Sequence, residues 1–334
     1  MTTVKKLFKQ KETGIFLILI AMCLIIGIAN KNFFKYENLI SVSGVAAYTA
    51  LFAFGELLVI LMGGIELSIG STIGLTAVLA CLMITKTSLP MGVVLVLTVL
   101  SGMVIGLING FFVNVVELPP YIATMGMSQV IKSVSLLITD AKPVMGCPTE
   151  YIAIGKEQFL KVPICVWIML VVAIILGLFL RKTVTGRRIY AVGGNPDAAK
   201  FAGINVVLLK WGSYVAAGGC SALAAIIISS KLGSAQGATG AGYESDAIAS
   251  TIIGGTSFTG GEGSVFGTVV GACIMAVIRN ALVLLAVSVY IQSMIIGAII
   301  IGAVTIDTLR QKSAQKVSKK FIQEALERQE KENK

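Results

Sequence analysis

The sequence contains no histidine and little charge, and both absences narrow what the protein can do. Only 13% of its 334 residues are Asp, Glu, Lys or Arg, which is about half the share found in a soluble domain. Without histidine, the commonest acid–base group and metal ligand is missing. No glycine-rich stretch is followed by the Lys and Ser or Thr of a phosphate-binding loop. We therefore expect no enzyme activity and no cofactor, nucleotide or metal site in this chain.

The six cysteines do not have the spacing of a metal or redox motif. Five of them lie in apolar runs, and only Cys147 lies in a polar loop. We interpret them as small side chains that pack between helices.

Apolar residues dominate the chain. They make up 56% of it, and the mean hydropathy is +0.89. Long apolar runs alternate with short polar stretches, and a bilayer-spanning helix needs about 20 apolar residues. By this length criterion, the sequence predicts crossings near 14–29, 39–62, 67–85, 91–115, 120–138, 163–180, 211–230, 247–260, 264–286 and 289–306. The expected fold is all-α, a polytopic membrane protein with about ten transmembrane helices, some of them short or broken.

The positive charge is concentrated in three stretches that flank the spans. They are an N-terminal segment (1–13), a loop (181–210) and the C-terminal tail (307–334). Nucleic-acid binding would also suit a pI near 9.3, but basic residues beside spans are better explained by the positive-inside rule. We therefore predict no nucleic-acid partner. All three stretches and both termini should be cytoplasmic, around a transmembrane domain at 14–306.

Two of the ten predicted crossings are weak, because they are short, polar and interrupted by glycine. They are the fifth, at 120–138, and the eighth, at 247–260. Losing one of them would place the basic tail outside, and losing both would place the loop 181–210 outside. With all ten, the long external loops are 139–162 and 231–246. The charged tail is expected to form a surface helix.

The first motif is GGIELSIGS at 63–71. Two adjacent glycines between apolar runs favour a break in the helix. Glu66 should then lie near the cytoplasmic end of its span, with Ser68 beside it. The carboxylate must face water, a cavity or a partner, so a pathway residue and a solvated acid in a short inner turn both remain open.

A second motif lies in the predicted cytoplasmic loop and has residues that favour the start and the end of a short helix. Asn195 suits the N-cap, Pro196 the first helical position and Gly203 the position after the helix. Such a helix could dock into a groove on a partner or lie on the bilayer surface, and both alternatives remain open. The residues that we predict to contact a partner are Asn195, Pro196, Asp197, Ala198, Ala199, Phe201 and Gly203.

A third motif, at 240–264, places acids before a second glycine-rich break. We expect its acids at the external mouth of the protein. Two glycine-interrupted spans, one in each half of the chain, indicate a transport pathway. The predicted pathway or gate residues are Glu66, Ser68, Tyr243, Glu244, Asp246, Gly254 and Gly255.

Three further charges fall within predicted spans, namely Glu56, Lys132 and Arg279. The two cations lie towards the external halves of their spans, where a long side chain can reach the surface. Glu56 either lines the pathway or pairs with a neighbouring helix. A stand-alone secondary transporter would need such charges for coupling.

In these motifs the chain resembles the permease subunits of bacterial ATP-binding-cassette importers for monosaccharides. The resemblance is carried by GGIELSIGS at 63–71, GRRIYAVGGNPDAAKFAGIN at 186–205 and GAGYESDAIASTIIGGTSFTGGEGSVFGT at 240–268, and it extends from about 14 to 310. The third stretch is most similar to ribose permeases. The chain departs from the family pattern where Glu66 replaces Asp, and where Ser245 and Ser250 replace Leu and Ala.

The resemblance implies a set of partners. A second permease copy, identical or paralogous, would pair with this chain in the bacterial cytoplasmic membrane. Two cytoplasmic ATPase subunits would hold ATP and Mg²⁺ and dock on the loop that carries Asn195–Gly203. An extracytoplasmic binding protein would deliver the sugar. A branched-chain amino-acid or nucleoside permease of the same class is the alternative, followed by a secondary transporter.

Overall fold

The computed structural model describes the backbone of residues 11–332, and the side chains of residues 13–309 and of Lys312. This part of the chain is mostly helical. Its α-helices are α1 (Lys11–Ala29), α2 (Tyr36–Leu61), α3 (Ile69–Lys86), α4 (Met91–Asn114), α5 (Pro120–Thr139), α6 (Thr149–Lys156), α7 (Ile164–Lys182), α8 (Val184–Gly194), α9 (Pro196–Phe201), α10 (Val206–Leu232), α11 (Tyr243–Ile253), α12 (Val265–Leu284) and α13 (Val289–Glu332). A 3₁₀ turn at Lys31–Phe34 and four two-residue strands complete the described chain: β1 (Val144–Met145), β2 (Gln158–Phe159), β3 (Val162–Pro163) and β4 (Ser234–Ala235).

Most of the predicted crossings are confirmed as helices. Within the described residues, eight helices are long and apolar enough to cross a membrane, namely α2, α3, α4, α5, α7, α10, α12 and the first part of α13. The shorter apolar helix α1 coincides with the first predicted crossing. The all-α polytopic fold is therefore confirmed. The basic segment 1–10 lies outside the described residues, and α13 runs from its span into the tail as one helix.

The eighth predicted crossing is not a single helix. Instead of a helix through 247–260, the chain has the short helix α11 (Tyr243–Ile253) followed by turns up to Ser264. A helix of this length spans about 16 Å, which is about half of the hydrocarbon core of a bilayer. The non-helical segment 233–242 before α11 lies against α3, where Gly240 and Gly237 contact the first turns. Irregular backbone that packs on α3 therefore takes the place of half of this crossing.

Local sequence signals set the helix ends. The side chains of Asn195, Asn205 and Ser264 each accept a hydrogen bond from a backbone N–H in the first turn of the helix that follows, at 2.9, 3.0 and 3.0 Å. These are N-caps that satisfy otherwise unpaired donors. At its other end, α10 stops at Gly233, whose φ of +67° suits glycine.

Helix α2 forms the centre of the bundle. Every residue from Thr49 to Met62 is buried, and α2 packs against α7, α10, α11 and α12. This burial among other helices explains why the run 39–62 has no polar face, since a helix that is surrounded by helices is apolar all round.

Helices α4 and α10 approach so closely that their glycines are required. Gly102, Gly106 and Gly110 follow at four-residue spacing and so lie on one face of α4. A Cβ atom on Gly106 would overlap the backbone of Tyr214, and one on Gly102 would overlap the carbonyl of Gly218. Small residues allow this backbone approach between membrane helices, where van der Waals packing supplies much of the association energy.

Loops expected on the same side of the membrane contact one another. β1, in the loop 139–162, pairs antiparallel with β4, in the loop 231–246. At the opposite end of the bundle, the backbone N–H of Gly261 donates to the Leu61 carbonyl (2.9 Å), and Gly193 lies against both residues. The loops therefore separate into the two predicted sets. Which set faces the cytoplasm stays a prediction.

The outer helices present apolar side chains to the surroundings. Leu170, Ile174 and Leu178 of α7 are exposed, as are Met294 and Ile301 of α13. On a soluble protein such faces would be a liability, but in a bilayer they meet lipid chains at no cost.

Replacing Gly106 with Ala should destabilise the folded protein, because the new methyl group would push α4 away from the Tyr214 backbone. Overpacking of this kind costs about 1–3 kcal/mol. Gly92 lies in the first turn of the same helix and has open space around its Cβ position, so Gly92→Ala is the matched control. Thermal unfolding of the purified protein should give a lower midpoint for Gly106→Ala alone. Equal midpoints for both variants would contradict the close packing.

Candidate functional site

The segment between α2 and α3 folds back into the bundle. Gly63 has a φ of +73°, which glycine adopts without strain, and the N–H of Gly64 donates to the Val59 carbonyl (3.0 Å). The chain then runs alongside α2, so that the backbone N–H of Glu66 reaches Oε1 of Glu56 (3.4 Å). The predicted break at the two glycines is therefore present, and it brings two acids together.

Glu66 is buried and held by hydrogen bonds. Its Oε1 accepts from the backbone N–H of Ser68 (2.7 Å), and its Oε2 accepts from Nδ2 of Asn109 in α4 (2.7 Å). The same amide nitrogen donates to Oγ of Ser68 (2.8 Å). With only 3% of its surface exposed, Glu66 is not a solvated acid in an inner turn. The sequence left two alternatives for Glu66, a pathway residue or a solvated acid. The structure excludes the solvated acid.

Two acceptors in this cluster have no hydrogen-bond partner among the residues that the structure describes. Glu56 is fully buried, yet its Oε2 receives no hydrogen bond, and neither does Oδ1 of Asn109. An unpaired buried acceptor costs on the order of 1–3 kcal/mol. These atoms are therefore available to a water molecule or a hydroxyl group that enters the cluster.

The first and third motifs meet at the start of α3. A Cβ atom on Gly70 would overlap both the carbonyl of Gly240 and the carboxylate of Glu244. Beside this contact lies a small cavity of about 130 Å³. Its lining is mostly small or polar and comprises Gly70, Ser71, Ser128, Gln129, Lys132, Gly237, Ala238, Ala241, Gly242 and Glu244. Of the predicted pathway residues, Glu244 borders this cavity, and Glu66 and Ser68 lie just before it in the chain.

Asp246 is paired rather than solvated. Its carboxylate accepts hydrogen bonds from the Arg279 guanidinium in α12, with a closest N–O distance of 2.6 Å. The sequence suggested that the Arg279 side chain can reach the membrane surface, and the structure adds that its guanidinium is paired with a buried acid. Tyr243 stacks on Tyr48 and Phe52, with ring centroids 6.0 and 5.4 Å apart. These partners lie midway along α2, so this group is deeper than the external mouth we expected.

The second glycine pair lies at the other end of α11, away from the cavity. Gly254 packs directly on the backbone of Gly267 in α12. Gly255 has a φ of +89° and ends the helix. The pair marks a helix break, as predicted, and its role in the pathway stays a prediction.

The short helix predicted in the loop 181–210 is present as α9. Asn195 is its N-cap, Pro196 its first residue, and Gly203 follows it with a φ of +78°. Phe201 points away from the bundle and is 94% exposed. Such exposure is unusual for a phenylalanine. Ala198 and Asp197 are also exposed. Ala199 is different, because it is only 4% exposed and packs inward.

Helix α8 connects α9 to both helix breaks. The Tyr190 hydroxyl donates to the Gly263 carbonyl (2.9 Å). Gly193 lies so close to the Leu61 carbonyl and the Gly261 backbone that a Cβ atom would overlap them. Ile189 is buried in the main core as well. A displacement of α8 must therefore move the ends of both broken segments.

Sequence reasoning missed several residues of the site. Asn109 holds Glu66, the Thr124 hydroxyl accepts from the N–H of Leu67 (3.1 Å), and the Tyr214 hydroxyl donates to the Ile65 carbonyl (3.2 Å). One signal was available: Asn109 is an amide in the middle of an apolar run, and such a residue is expected to need a partner. Which partner it has depends on how α4 packs against the break.

The family of the chain follows from a match over most of its length. The matching family model is described as "Branched-chain amino acid transport system / permease component" and covers residues 38–304. The chain belongs to this family of membrane permeases. With its apolar helices, it is a multi-pass protein of the inner membrane, and the family resemblance seen in the motifs is confirmed.

Curated relatives are similar over nearly their whole length. The ribose import permease protein of Bacillus subtilis (strain 168) is 39% identical and aligns with 91% of this chain and 94% of its own. The ribose import permease protein of Haemophilus influenzae is 36% identical over 84% and 88%. The D-allose transport system permease protein of Escherichia coli (strain K12) is 33% identical over 91% and 93%. No solved structure matches the chain.

Replacing Asn109 with Leu should impair the permease, because Glu66 would lose its side-chain donor while remaining buried. Such a loss costs on the order of 1–3 kcal/mol, and more for a charged group. The side chain of Asn114 in the same helix donates to the Gly110 carbonyl (3.0 Å), a bond within its own helix, so Asn114→Leu is the matched control. Substrate uptake and membrane abundance should both fall further in Asn109→Leu. Similar values for the two variants would show that the cluster is dispensable.

Proposed function

We propose that this chain is the permease subunit of an ATP-binding-cassette importer that moves a ribose-type monosaccharide across the cytoplasmic membrane. The observation that carries the proposal is the similarity to permeases named for ribose and allose import, at 33% to 39% identity over 84% to 91% of this chain. The three motifs quoted above support the same conclusion.

A permease for branched-chain amino acids is the second candidate, since the family description names that substrate class. The sugar permeases above argue against it, because they match the chain over nearly its whole length. A stand-alone secondary transporter has no use for an exposed docking helix such as α9. ATP and Mg²⁺ would accordingly be bound by partner ATPase subunits, and a binding protein would deliver the sugar to a pair of permeases.

The path proposed for the sugar passes the cluster where the first and third motifs meet. A sugar carries many hydroxyl groups, and each one that is left unpaired in a dry site weakens binding. Hydroxyls of Ser71 and Ser128, which lie 2.7 Å apart, can both donate and accept. The unpaired oxygens of Glu56 and Asn109 can accept from a sugar hydroxyl once the cluster opens.

The proposed coupling route runs from α9 through α8. The exposed Phe201 is the natural apolar anchor for a groove on an ATPase, in the manner of helix-in-groove recognition. When the ATPases move on binding ATP, α9 and α8 would move with them. Tyr190 and Gly193 would then shift the ends of the two broken segments, which border the path.

The substrate proposal is tested by uptake. We expect deletion of this gene to abolish high-affinity uptake of one labelled pentose or hexose, with ribose tested first, and to leave leucine uptake unchanged. A second strain, whose neighbouring ATPase gene carries a Lys→Ala change in its phosphate-binding loop, should show the same loss. Loss of leucine uptake alone would favour the amino-acid alternative, and full uptake without the ATPase would favour a secondary transporter.

Phe201→Glu should abolish transport without removing the permease from the membrane, because a charge would replace the apolar anchor of α9. The side chain is fully outside the bundle, so folding has little reason to change. Phe201→Leu keeps an apolar side chain and is the matched control. Uptake should fall at least tenfold in the first variant and less than threefold in the second, at equal membrane abundance. Normal uptake by Phe201→Glu would contradict docking through α9.

A further inference from the structure

A long apolar groove runs along the outside of the bundle between α7 and α12. Its volume is about 510 Å³. The lining residues are Leu170, Ala173, Ile174, Gly177, Leu178, Leu180, Arg181, Lys182, Tyr190, Ser264, Val265, Phe266 and Val269. From Leu170 to Lys182 the groove follows α7 for about 18 Å, slightly more than the half-thickness of a bilayer core, which is about 15 Å.

The groove is apolar along its length and cationic at one end. Ile174, Leu178 and Phe266 expose half or more of their surface towards it or beside it. Arg181 and Lys182 close the end, and both are exposed. Among the side chains that the structure describes, no acid lines the groove and no ion pair involves either cation. The charge at this end is therefore uncompensated within the described part of the chain.

We expect the cationic end to lie at the level of the lipid headgroups, because it coincides with the end of a predicted span. Arg181 and Lys182 form the last turn of α7, at the start of the loop that the positive-inside rule places in the cytoplasm. The first turn of α12, capped by Ser264, borders the same end and adds the partial positive charge of a helix N-terminus. An anionic group would be attracted there, while a hydrocarbon chain would fill the rest.

We propose that this groove binds one anionic phospholipid of the cytoplasmic leaflet. Its phosphate lies against Arg181 and Lys182, and one acyl chain lies along α7 towards Leu170. Basic pockets between helices on the cytoplasmic side are typical binding sites for acidic lipid headgroups. The proposal rests on the cytoplasmic orientation of this loop, and it does not depend on which substrate the permease carries.

The headgroup contact is tested with paired charge variants of the full-length permease. After delipidation in detergent, native mass spectrometry follows the binding of phosphatidylglycerol and of phosphatidylcholine with the same chains. We expect one preferred phosphatidylglycerol in the wild type. Arg181→Gln with Lys182→Gln should weaken it by about thirtyfold, the effect of two basic residues near an anionic headgroup.

The control removes the same charge from the same loop but outside the groove. Arg187 and Arg188 are exposed on α8 and do not line the groove. Arg187→Gln with Arg188→Gln should change the affinity less than threefold. An equal loss in both double variants would mean that only the general charge of the loop matters. Equal affinity for the two lipids would mean that the groove holds ordinary bulk lipid. Either result would overturn the proposal.

The acyl-chain contact is tested by filling the groove. The Cβ position of Gly177 meets open space, so Gly177→Phe adds a ring inside the groove without displacing the backbone. It should weaken phosphatidylglycerol binding by about tenfold or more, the effect of expelling roughly two methylene groups. Gly302 in α13 also has open space and lies elsewhere, so Gly302→Phe should have no effect. Displacement of the lipid by inorganic phosphate would instead indicate a site for free anions.

A photoreactive residue at position 174 separates lipid from protein as the occupant. In membranes that contain the whole importer, irradiation should give a permease carrying the mass of one phospholipid. A product with the mass of two permeases would show that a second copy of the chain covers α7, and the lipid proposal would then be wrong.

Discussion

The structure depends on burying two stretches of non-helical backbone inside a bundle of helices. In hydrocarbon, a peptide N–H or carbonyl without a partner costs several kcal/mol, so irregular chain is tolerated at membrane depth only where protein surrounds it. The segment 62–68 meets this condition because side chains pair with its backbone. The hydroxyls of Thr124 and Tyr214 pair with the N–H of Leu67 and the carbonyl of Ile65, and the carboxylates of Glu56 and Glu66 accept from the N–H groups of Glu66 and Ser68. The segment 233–242 meets it by packing on the first turns of α3. The surrounding helices are arranged to make these contacts possible.

This requirement explains why glycine is frequent where helices meet. At the contacts between Gly70 and Gly240 and between Gly102 and Gly218, a side chain on either residue would overlap backbone. Backbones that approach this closely leave no room for lipid or water at the contacts themselves. They also make the breaks sensitive to small displacements, because packed interfaces shift between discrete arrangements rather than bending smoothly. This property suits the proposed coupling, in which the driving force arrives from outside the membrane at α8 and α9.

The sequence was informative where a feature depends on neighbouring residues. The spans follow from apolar length, and the caps at Asn195 and Gly203 follow from local chemistry, so both were predicted. The eighth crossing was wrong because Gly237, Gly240 and α3 replace half of a helix with irregular chain, and only tertiary contacts reveal that. The partners of Glu66 and Arg279 lie 43 and 33 residues away in the chain. No local pattern could name them.

The electrostatics of α11 bear on the kind of substrate that suits the path. A half-helix that begins inside the membrane presents a positive N-terminus, and transporters commonly use such an end to hold an anionic group. Here the first turn of α11 already carries Glu244 and Asp246, which offset that charge. Arg279 is in turn occupied by Asp246 at 2.6 Å. The carboxylate of an amino acid would therefore find no free positive helix end here, and at the cavity it would meet the opposite charges of Glu244 and Lys132. An uncharged sugar needs no such end and can use the hydroxyls of Ser71 and Ser128, so the offset N-terminus of α11 suits a sugar better than a branched-chain amino acid.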